Sequence, residues 1–360
     1  MRRRTSAMVL TGSMVLVAGC SSGHGDSEAL GQTPRPSSAA PGGSPANAAR
    51  EPITLAFAGD TNFDAQLGAR LANRPATAMG PIAKTLKAAD FTMVNLETAI
   101  TTGGVPAPGK QFHFRAPATA FTALKAAGVD VVTMANNHGM DYGAPGLKDS
   151  LAAIRKTGFP VVGIGKDADA AYSPYTTTVK GNRLAVIGAT QVLDDQLIQD
   201  WTATDGKGGL ASAKVVPRLV KAVEDARKNA DVVIVYLHWG QEMRTCPLPV
   251  QQELAARLVD SGADIVVGGH AHVLLGGGYL KGKYVDYGLG NFHFASASGK
   301  TTESGVLKLT WDSGSVRKAN WLPAQISGGL PLRLKGPAAV SATRSWTGLR
   351  ACTGLSAGRR

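Results

Sequence analysis

The chain has 360 residues, 44% of them hydrophobic, and a formal net charge of +12. Its first 50 residues are atypical of a folded domain, which leaves about 300 residues, near the upper limit for one hydrophobic core. The positive charge favours an anionic partner, such as an anionic polymer, anionic lipid head groups or nucleic acid. No basic run interleaved with aromatic residues is present, which argues against nucleic acid.

Residues 1–19 are predicted to be a secretory signal peptide. Three arginines at positions 2–4 precede an apolar stretch from Ala7 to Val17, and small residues lie just before Cys20. This stretch is too short to span a membrane and is expected to be cleaved off. Cleavage before Cys20 removes three arginines and no acid, so the charge of +12 becomes +9. Export is a second argument against nucleic acid as a partner.

The segment from Val17 to Cys20 resembles a bacterial lipobox, in which the cysteine becomes the lipidated first residue of the mature protein. The alternative is an ordinary signal peptide with an incidental cysteine. Lipidation of Cys20 would hold the protein on the extracytoplasmic face of the cell membrane. The rest of residues 20–50, rich in Ser, Pro, Gly and Ala, is expected to be a flexible tether.

Residues 51–328 alternate between short apolar runs and helical patterns, which is typical of βα units. The runs are β-branched and nearly continuous, as strands covered on both faces require. Strands are predicted at 53–58, 91–95, 129–134, 161–164, 184–188, 231–238 and 264–267. Helices are predicted at 78–88, 118–127, 146–156, 213–229 and 248–261.

The pattern changes after Gly276. Residues 283–287, 305–311 and 316–324, with the turn Asp312-Ser313-Gly314, are typical of antiparallel strands and a hairpin. Parallel units followed by an antiparallel run predict a layered α/β sandwich with paired sheets. Residues 329–360 are rich in Gly, Ala and Arg and are expected to be a loose tail.

Polar residues follow the predicted strands at their carboxyl ends, where open α/β sheets place their ligands. Two carboxylates, an asparagine and several histidines at one edge form an oxygen and nitrogen ligand set for Mn, Zn or Fe. Because His270 and His272 are two residues apart, they would point the same way in an extended chain. Each residue alone has a structural explanation, but their common position favours a metal site.

A family resemblance rests on the phrases GDTNFD, NLET, ANNHGMDYG, LHWGQE, GGHAH and YGLGNF, found in this order between Ile53 and Phe294. The sequence resembles the CapA/PgsA-type capsule synthesis proteins, which are associated with poly-γ-glutamate. That family in turn resembles the calcineurin-like metallophosphatases. The resemblance implies a layered α/β/β/α sandwich of the metallophosphatase type.

The resemblance also implies one or two divalent metal ions (Mn, Zn or Fe). The residues that would bind these ions are Asp60 and His272 for the first, Asn137, His238 and His270 for the second, and Glu97 as the bridge between them. The sequence departs from the metallophosphatase pattern at two positions. Asn62 stands where those enzymes have a histidine, and the bridging acid is a glutamate. Both changes weaken or reshape one metal site.

Three further residues lie in the matched phrases, and a fourth, Arg115, lies in FHFRAP between NLET and ANNHGMDYG. His138 would stand outside the coordination sphere as an acid or a phosphate-contacting cation, and Asp141 would orient it unless it is an exposed turn residue. Arg115 and Asn291 are similar to family positions near the site and are predicted to contact the substrate.

Three functions remain open at this point. The first is a metal-dependent hydrolase or transferase acting on a phosphoester or on the amide of an anionic polymer. The second is a non-catalytic subunit that guides an anionic polymer for a membrane synthase complex. The third, a ligand-binding lipoprotein, leaves the polar edge unexplained. The two cysteines left after lipidation, Cys246 and Cys352, either pair or remain free.

Overall fold

The computed structural model describes residues 50–359. The predicted signal peptide, Cys20 and nearly all of the predicted tether lie outside the described residues. Within the described part of the chain, no helix is long and apolar enough to cross a membrane.

Strands and helices alternate along most of the chain. The strands are β1 (Ile53–Thr61), β2 (Phe91–Leu96), β3 (Ala99–Ile100), β4 (Arg115–Ala116), β5 (Val131–Thr133), β6 (Val161–Val162), β7 (Ile164–Gly165), β8 (Tyr175–Val179), β9 (Asn182–Thr190), β10 (Gly209–Leu210), β11 (Val232–Trp239), β12 (Ile265–His270), β13 (Gly277–Leu280), β14 (Lys283–Asp286), β15 (Asn291–His293), β16 (Glu303–Asp312), β17 (Ser315–Ser327) and β18 (Leu330–Arg333). The α-helices are α1 (Ala65–Asn73), α2 (Ala83–Leu86), α3 (Thr119–Ala126), α4 (Gly143–Thr157), α5 (Ala168–Tyr172), α6 (Ile198–Trp201), α7 (Val216–Asn229), α8 (Pro249–Asp260) and α9 (Gly336–Gly348).

The first large sheet has eight strands in the order β18-β17-β16-β1-β2-β5-β6, with β15 also paired to β1. Strands β1, β2, β5 and β6 are parallel, whereas β16, β17 and β18 are antiparallel. The second has six strands in the order β13-β14-β12-β11-β9-β8, and its central strands β9, β11, β12 and β14 are parallel. Each sheet therefore presents the carboxyl ends of several neighbouring strands at one edge.

Apolar clusters show that the two sheets pack face to face. Leu55 of the first sheet and Ile234 of the second belong to one buried cluster. A separate cluster joins the outer face of the first sheet to helices that include α3, through Leu124. Another joins the outer face of the second sheet to α7, through Leu219. The layers therefore run helices, sheet, sheet, helices, which confirms the predicted α/β/β/α sandwich.

An aspartate precedes each of four parallel strands and ties it to its neighbour. The Asp264 N–H donates to the Val233 carbonyl, and its carboxylate accepts the Val233 N–H, both at 2.9 Å. Asp90, Asp130 and Asp231 make the same reciprocal pair with the adjacent strand. A valine or alanine, then an aspartate, then an apolar run thus marks the amino-terminal edges of both sheets.

The C-terminal segment differs from its prediction. Residues 329–360, expected to be loose, contain β18 and α9. Trp346 of α9 stacks on Trp321 of β17 with ring centroids 5.1 Å apart, and Cys352 forms a disulfide with Cys246. These contacts join residues that are far apart in sequence, so the local composition of the tail could not reveal them.

Candidate metal centre

The predicted ligands lie at the carboxyl ends of strands from both sheets. Asp60 is the second-to-last residue of β1, and Glu97 follows β2 and Asn137 follows β5 in the first sheet. In the second sheet, His238 is the second-to-last residue of β11 and His270 is the last residue of β12. Asp60, Glu97, His238 and His270 are all buried. Two sheets that pack face to face therefore bring these side chains together at their shared edge.

The chain around the two neighbouring histidines is not extended, contrary to the sequence expectation. His270 has φ 96° and His272 has φ 56°, both left-handed conformations that non-glycine residues rarely adopt. Their ring centroids nevertheless lie 5.9 Å apart. A Cβ at Gly269 would lie 2.3 Å from Asp60 Oδ1, so only glycine lets this backbone approach the carboxylate. Strain of this kind typically persists where function requires it.

Asp60, Glu97 and His238 form an inner cluster, each with a ligand atom within 4.8 Å of the others. His238 Nε2 is 3.7 Å from Glu97 Oε1 and 2.8 Å from Asn137 Oδ1. Neither carboxylate oxygen of Glu97 has a hydrogen-bond partner among the described residues, although both are buried. A buried, unpaired carboxylate is costly unless a cation neutralises it. The inner cluster therefore fits a divalent metal ion.

The electrostatics of the cluster agree with this fit. Burial, followed by the nearby charge of Asp60, raises the pKa of Glu97 well above its usual value. Burial also raises the pKa of Asp60. It lowers the pKa of His238 well below normal and that of His270 to about 3, so both imidazoles are neutral. Neutral imidazoles are the form that binds metals.

Two asparagines hold the inner cluster in place. Asn95 Nδ2 donates to Asp60 Oδ1 at 2.8 Å and lies 3.1 Å from His238 Nδ1. Asn136 Nδ2 donates to Asn95 Oδ1 at 2.9 Å. Loss of a side chain that orients metal ligands in this way typically lowers metal affinity or activity by roughly 10- to 100-fold. Both residues occur in the matched phrases, but no role was predicted for either.

His138 and Asp141 are paired beside the inner cluster. His138 Nδ1 is 2.6 Å from Asp141 Oδ2, and His138 Nε2 is 3.9 Å from Glu97 Oε1. Burial lowers the pKa of His138, an effect that Asp141 partly offsets. Asp141 is buried and also accepts the Phe114 N–H at 2.6 Å, so it is not an exposed turn residue.

Lys110 is a part of the site that the sequence did not indicate. Its side chain is only 4% exposed, and its Nζ is 2.6 Å from Asp141 Oδ1. The same ammonium donates to the Asn137 carbonyl and lies 4.9 Å from the centre of the Trp201 ring. Lys110 therefore connects the His138–Asp141 pair to a predicted metal ligand.

The two predicted substrate-contacting residues have different surroundings. Asn291 Oδ1 is 2.8 Å from His272 Nδ1, so this side chain orients a predicted ligand. Arg115 is exposed, and its guanidinium packs on the Tyr142 ring at 4.9 Å. Among the described residues, the Arg115 side chain takes part in no hydrogen bond or ion pair.

Asn62, at the position of the missing histidine, has a structural role. It is buried, and its side-chain oxygen accepts the Asp64 N–H at 3.4 Å. Its carbonyl oxygen is 2.8 Å from His293 Nδ1. Another side chain lies near His272, the histidine predicted for the first ion. Glu242, in the phrase LHWGQE, offers a carboxylate oxygen within 4.8 Å of ring nitrogens of His270 and His272.

Comparison with known proteins places this chain in a family. A family model described as "Bacterial capsule synthesis protein PGA_cap" matches residues 54–296. The chain belongs to this family. The resemblance to CapA-type capsule synthesis proteins is thereby confirmed, and the match includes all the predicted metal ligands.

Two CapA-family relatives and one solved structure illustrate the similarity. The capsule biosynthesis protein CapA of Bacillus anthracis is 33% identical over 225 residues, which cover 62% of this chain and 54% of that one. The PGA biosynthesis protein CapA of Bacillus subtilis is 31% identical over 259 residues, covering 69% and 65%. The chain thus spans about half to two thirds of these relatives. A structure titled as a novel phosphatase from Mycoplasma pneumoniae is 15% identical, covers 81% of this chain and 98% of its own, and has a TM-score of 0.48.

Proposed function

We propose that this CapA-family chain acts on an anionic capsule polymer, such as poly-γ-glutamate, through a divalent metal centre built around Glu97. One observation carries the proposal: the Glu97 carboxylate is buried between Asp60 and His238 without a hydrogen-bond partner in the described part of the chain. An oxygen and imidazole ligand set is suited to Mn, Zn or Fe. The charge of +9 predicted for the mature chain supports an anionic partner.

The residues beside the centre support hydrolysis or group transfer. A bound divalent cation supplies activation of water and polarisation of a phosphoryl or carbonyl oxygen. His138 presents Nε2 toward the cluster, 3.9 Å from Glu97, while Asp141 fixes Nδ1. An imidazole held in this way transfers a proton to or from the reacting group. A purely structural metal site would not need such a pair.

Two bond types fit this arrangement. A phosphoester suits in-line displacement, and the amide of a γ-linked polyglutamate chain suits polarisation of a carbonyl oxygen. Both substrates are anionic, so the positive charge of the chain favours each of them.

The proposed site of action is the extracytoplasmic face of the cell membrane. The lipobox-like segment that ends at Cys20 would anchor the chain there, beside a membrane synthase complex as its partner. Labelled palmitate should enter the wild-type protein and not the Cys20→Ser variant. Label retained by that variant would rule out the anchor.

The experiment that tests catalysis compares two variants of the purified full-length chain. His138→Ala should keep its metal while the hydrolysis of an aryl phosphodiester or of poly-γ-glutamate falls by roughly 10²- to 10⁴-fold. Glu97→Ala should lose metal, because the cations would lack the bridging carboxylate. Metal content equal in the wild type and Glu97→Ala would contradict the centre, whereas unchanged rates in His138→Ala would contradict catalysis by the pair.

A second candidate function is a non-catalytic subunit that guides the polymer. Asn62 favours it, because this side chain replaces a metallophosphatase histidine and is engaged in the local turn. Cells that lack the protein can be complemented with His138→Ala or Glu97→Ala and scored for surface polymer. If His138→Ala restores the polymer and Glu97→Ala does not, the metal is needed but the proton transfer is not, and the polymer-handling function is correct.

A further inference from the structure

Glu242 lies in the loop of residues 240–248 between β11 and α8, and the fold fixes this loop at three points. A Cβ at Gly240 (φ 94°) would lie 2.8 Å from Gln251 Nε2, so the chain leaves β11 through a turn that favours glycine. Met243 N–H donates to the Ala271 carbonyl at 2.9 Å. The disulfide of Cys246 with Cys352 fixes the far end.

The bond to Ala271 places Glu242 beside both neighbouring histidines. Ala271 lies between His270 and His272, and the Glu242 carboxylate has an oxygen within 4.8 Å of a ring nitrogen of each. Two ligands of one metal at about 2.1 Å are separated by about 3 to 4 Å, so shortening the present separations by about 1 to 2 Å would close a site. Glu242 is exposed and free to make such an adjustment.

A second observation points to a ligand at this position. His270 is 95% buried, and its Nδ1 has no hydrogen-bond partner among residues 50–359. The His270 backbone is held at φ 96°, a left-handed conformation that non-glycine residues rarely adopt. Buried polar groups are normally hydrogen-bonded, so an unpaired buried ring nitrogen indicates a ligand such as a metal ion, and backbone strain is common at functional sites.

The charges of the centre also favour participation of Glu242. Two divalent cations carry four positive charges, whereas the inner cluster supplies two carboxylates, Asp60 and Glu97. Glu242 would add a third carboxylate on the solvent side. An ion held there would keep open coordination positions toward the substrate, as catalytic sites require.

From these observations we infer that Glu242, His270 and His272 form a second cation site at the rim, in which Glu242 takes the place of the histidine that is absent at position 62. This inference rests on the proposed metal centre and changes which residues are assigned to its second ion. The ligand is a divalent transition metal, bound more weakly and exchanged more readily than the ion of the inner cluster. His270 would then serve the rim ion rather than the inner one.

The test is metal titration of the chelator-stripped full-length chain with Mn²⁺, followed by calorimetry and electron paramagnetic resonance. We expect a tight and a weaker site in the wild type, with spin coupling between the two ions. Glu242→Ala should keep the tight site, weaken the second by at least roughly 100-fold and abolish the coupling. Glu253→Ala is the matched control, because Glu253 is an exposed glutamate of α8 whose carboxylate faces Arg257.

The possible outcomes separate this inference from the proposed function. Two unchanged sites in Glu242→Ala, or one identical site in both the variant and the wild type, would overturn the rim site and leave the inner centre standing. No bound Mn²⁺, Zn²⁺ or Fe²⁺ in the wild type would overturn both. Loss of the second site in Glu253→Ala as well would show a general effect of surface charge and would also overturn the role of Glu242.

Discussion

Buried carboxylates at the two edges of the sheets differ in their hydrogen-bond partners. At the amino-terminal edge, Asp264 is nearly inaccessible and accepts bonds from Arg227 at 2.6 Å, Lys283 at 2.5 Å and the Val233 N–H at 2.9 Å. At the carboxyl edge, Glu97 is equally buried but has no protein hydrogen-bond partner among the described residues. Where this fold uses an acid to hold strands together, it therefore supplies the donors.

This difference identifies which buried acids have a function beyond the fold. Removing a buried polar group that is fully paired leaves its partners unsatisfied and costs stability. Removing a buried charge that has no partner relieves a desolvation cost. Stability and ligand binding should therefore respond in opposite directions at the two edges.

The largest expected effect is on folding at the amino-terminal edge. Asp264→Asn should lower the free energy of unfolding by about 3–5 kcal/mol, because it breaks a buried ionic network and leaves two cations uncompensated. Glu97→Gln should leave the metal-free protein equally stable or more stable. Urea unfolding of both variants in the presence of a chelator measures this difference.

Glu253→Gln, an exposed change, serves as the baseline for both variants. If Glu97→Gln destabilised the metal-free chain as strongly as Asp264→Asn does, Glu97 would have structural partners, and the distinction between the edges would be wrong.

The histidines at the carboxyl edge show the same contrast. His293 is fully buried, and its Nδ1 lies 2.8 Å from the Asn62 carbonyl and its Nε2 3.4 Å from the Ala78 carbonyl. His270 has an unpaired Nδ1. A structural histidine whose ring nitrogens face backbone carbonyls thus lies at the same edge, and position at this edge alone does not define a ligand.

The second prediction uses the titration of His293. Burial lowers the pKa of His293 to about 4, whereas its value in the unfolded chain is near 6.5. The unfolded chain therefore binds more protons between these values, so the contribution is complete above pH 6.5 and is lost as pH falls to 4. The loss is about 3 kcal/mol.

Chemical denaturation of the wild type and His293→Gln from pH 4 to 7, with chelator present, isolates this contribution. The stability of the wild type relative to the variant should rise with pH across this window. A constant difference would show that His293 titrates normally in the folded chain.

The sequence predicted the parts of the fold that repeat a local pattern. The long apolar strands β1, β9, β11 and β12 and the helices α7 and α8 were predicted close to their observed bounds, because hydrophobic periodicity is a local signal. The short pairs β3–β4 and β7–β10 depend on tertiary contacts and were missed. The tail was missed for the same reason.

The site residues that could be predicted from the sequence are those at the carboxyl ends of strands. Asp60, Glu97, His238 and His270 were found because a parallel sheet gathers the residues at its carboxyl edge. Glu242 and Lys110 lie in loops of 240–248 and 101–114, whose path no local pattern fixes. Whether Cys246 and Cys352 pair was open, because sequence separation alone does not determine proximity.

Lys110 gives the third and smallest predicted effect, on catalysis rather than on folding. Lys110→Met retains the apolar stem over Trp201 but removes the ammonium that contacts Asp141 and the Asn137 carbonyl. The rate of the proposed hydrolysis should fall by roughly 10- to 100-fold through kcat, because Asp141 would orient His138 less well. Bound metal should change little, since Lys110 approaches only the main chain of Asn137.

A double-mutant cycle with His138→Ala distinguishes positioning from a general structural role. If Lys110 acts through Asp141 and His138, Lys110→Met should have almost no further effect on the rate once His138 is alanine. If Lys110 instead maintains the loop of residues 101–114, the two losses should multiply. Multiplicative losses together with reduced metal content would show that Lys110 supports the carboxyl edge as Asp264 supports the opposite one, and the contrast between the edges would be weaker than proposed.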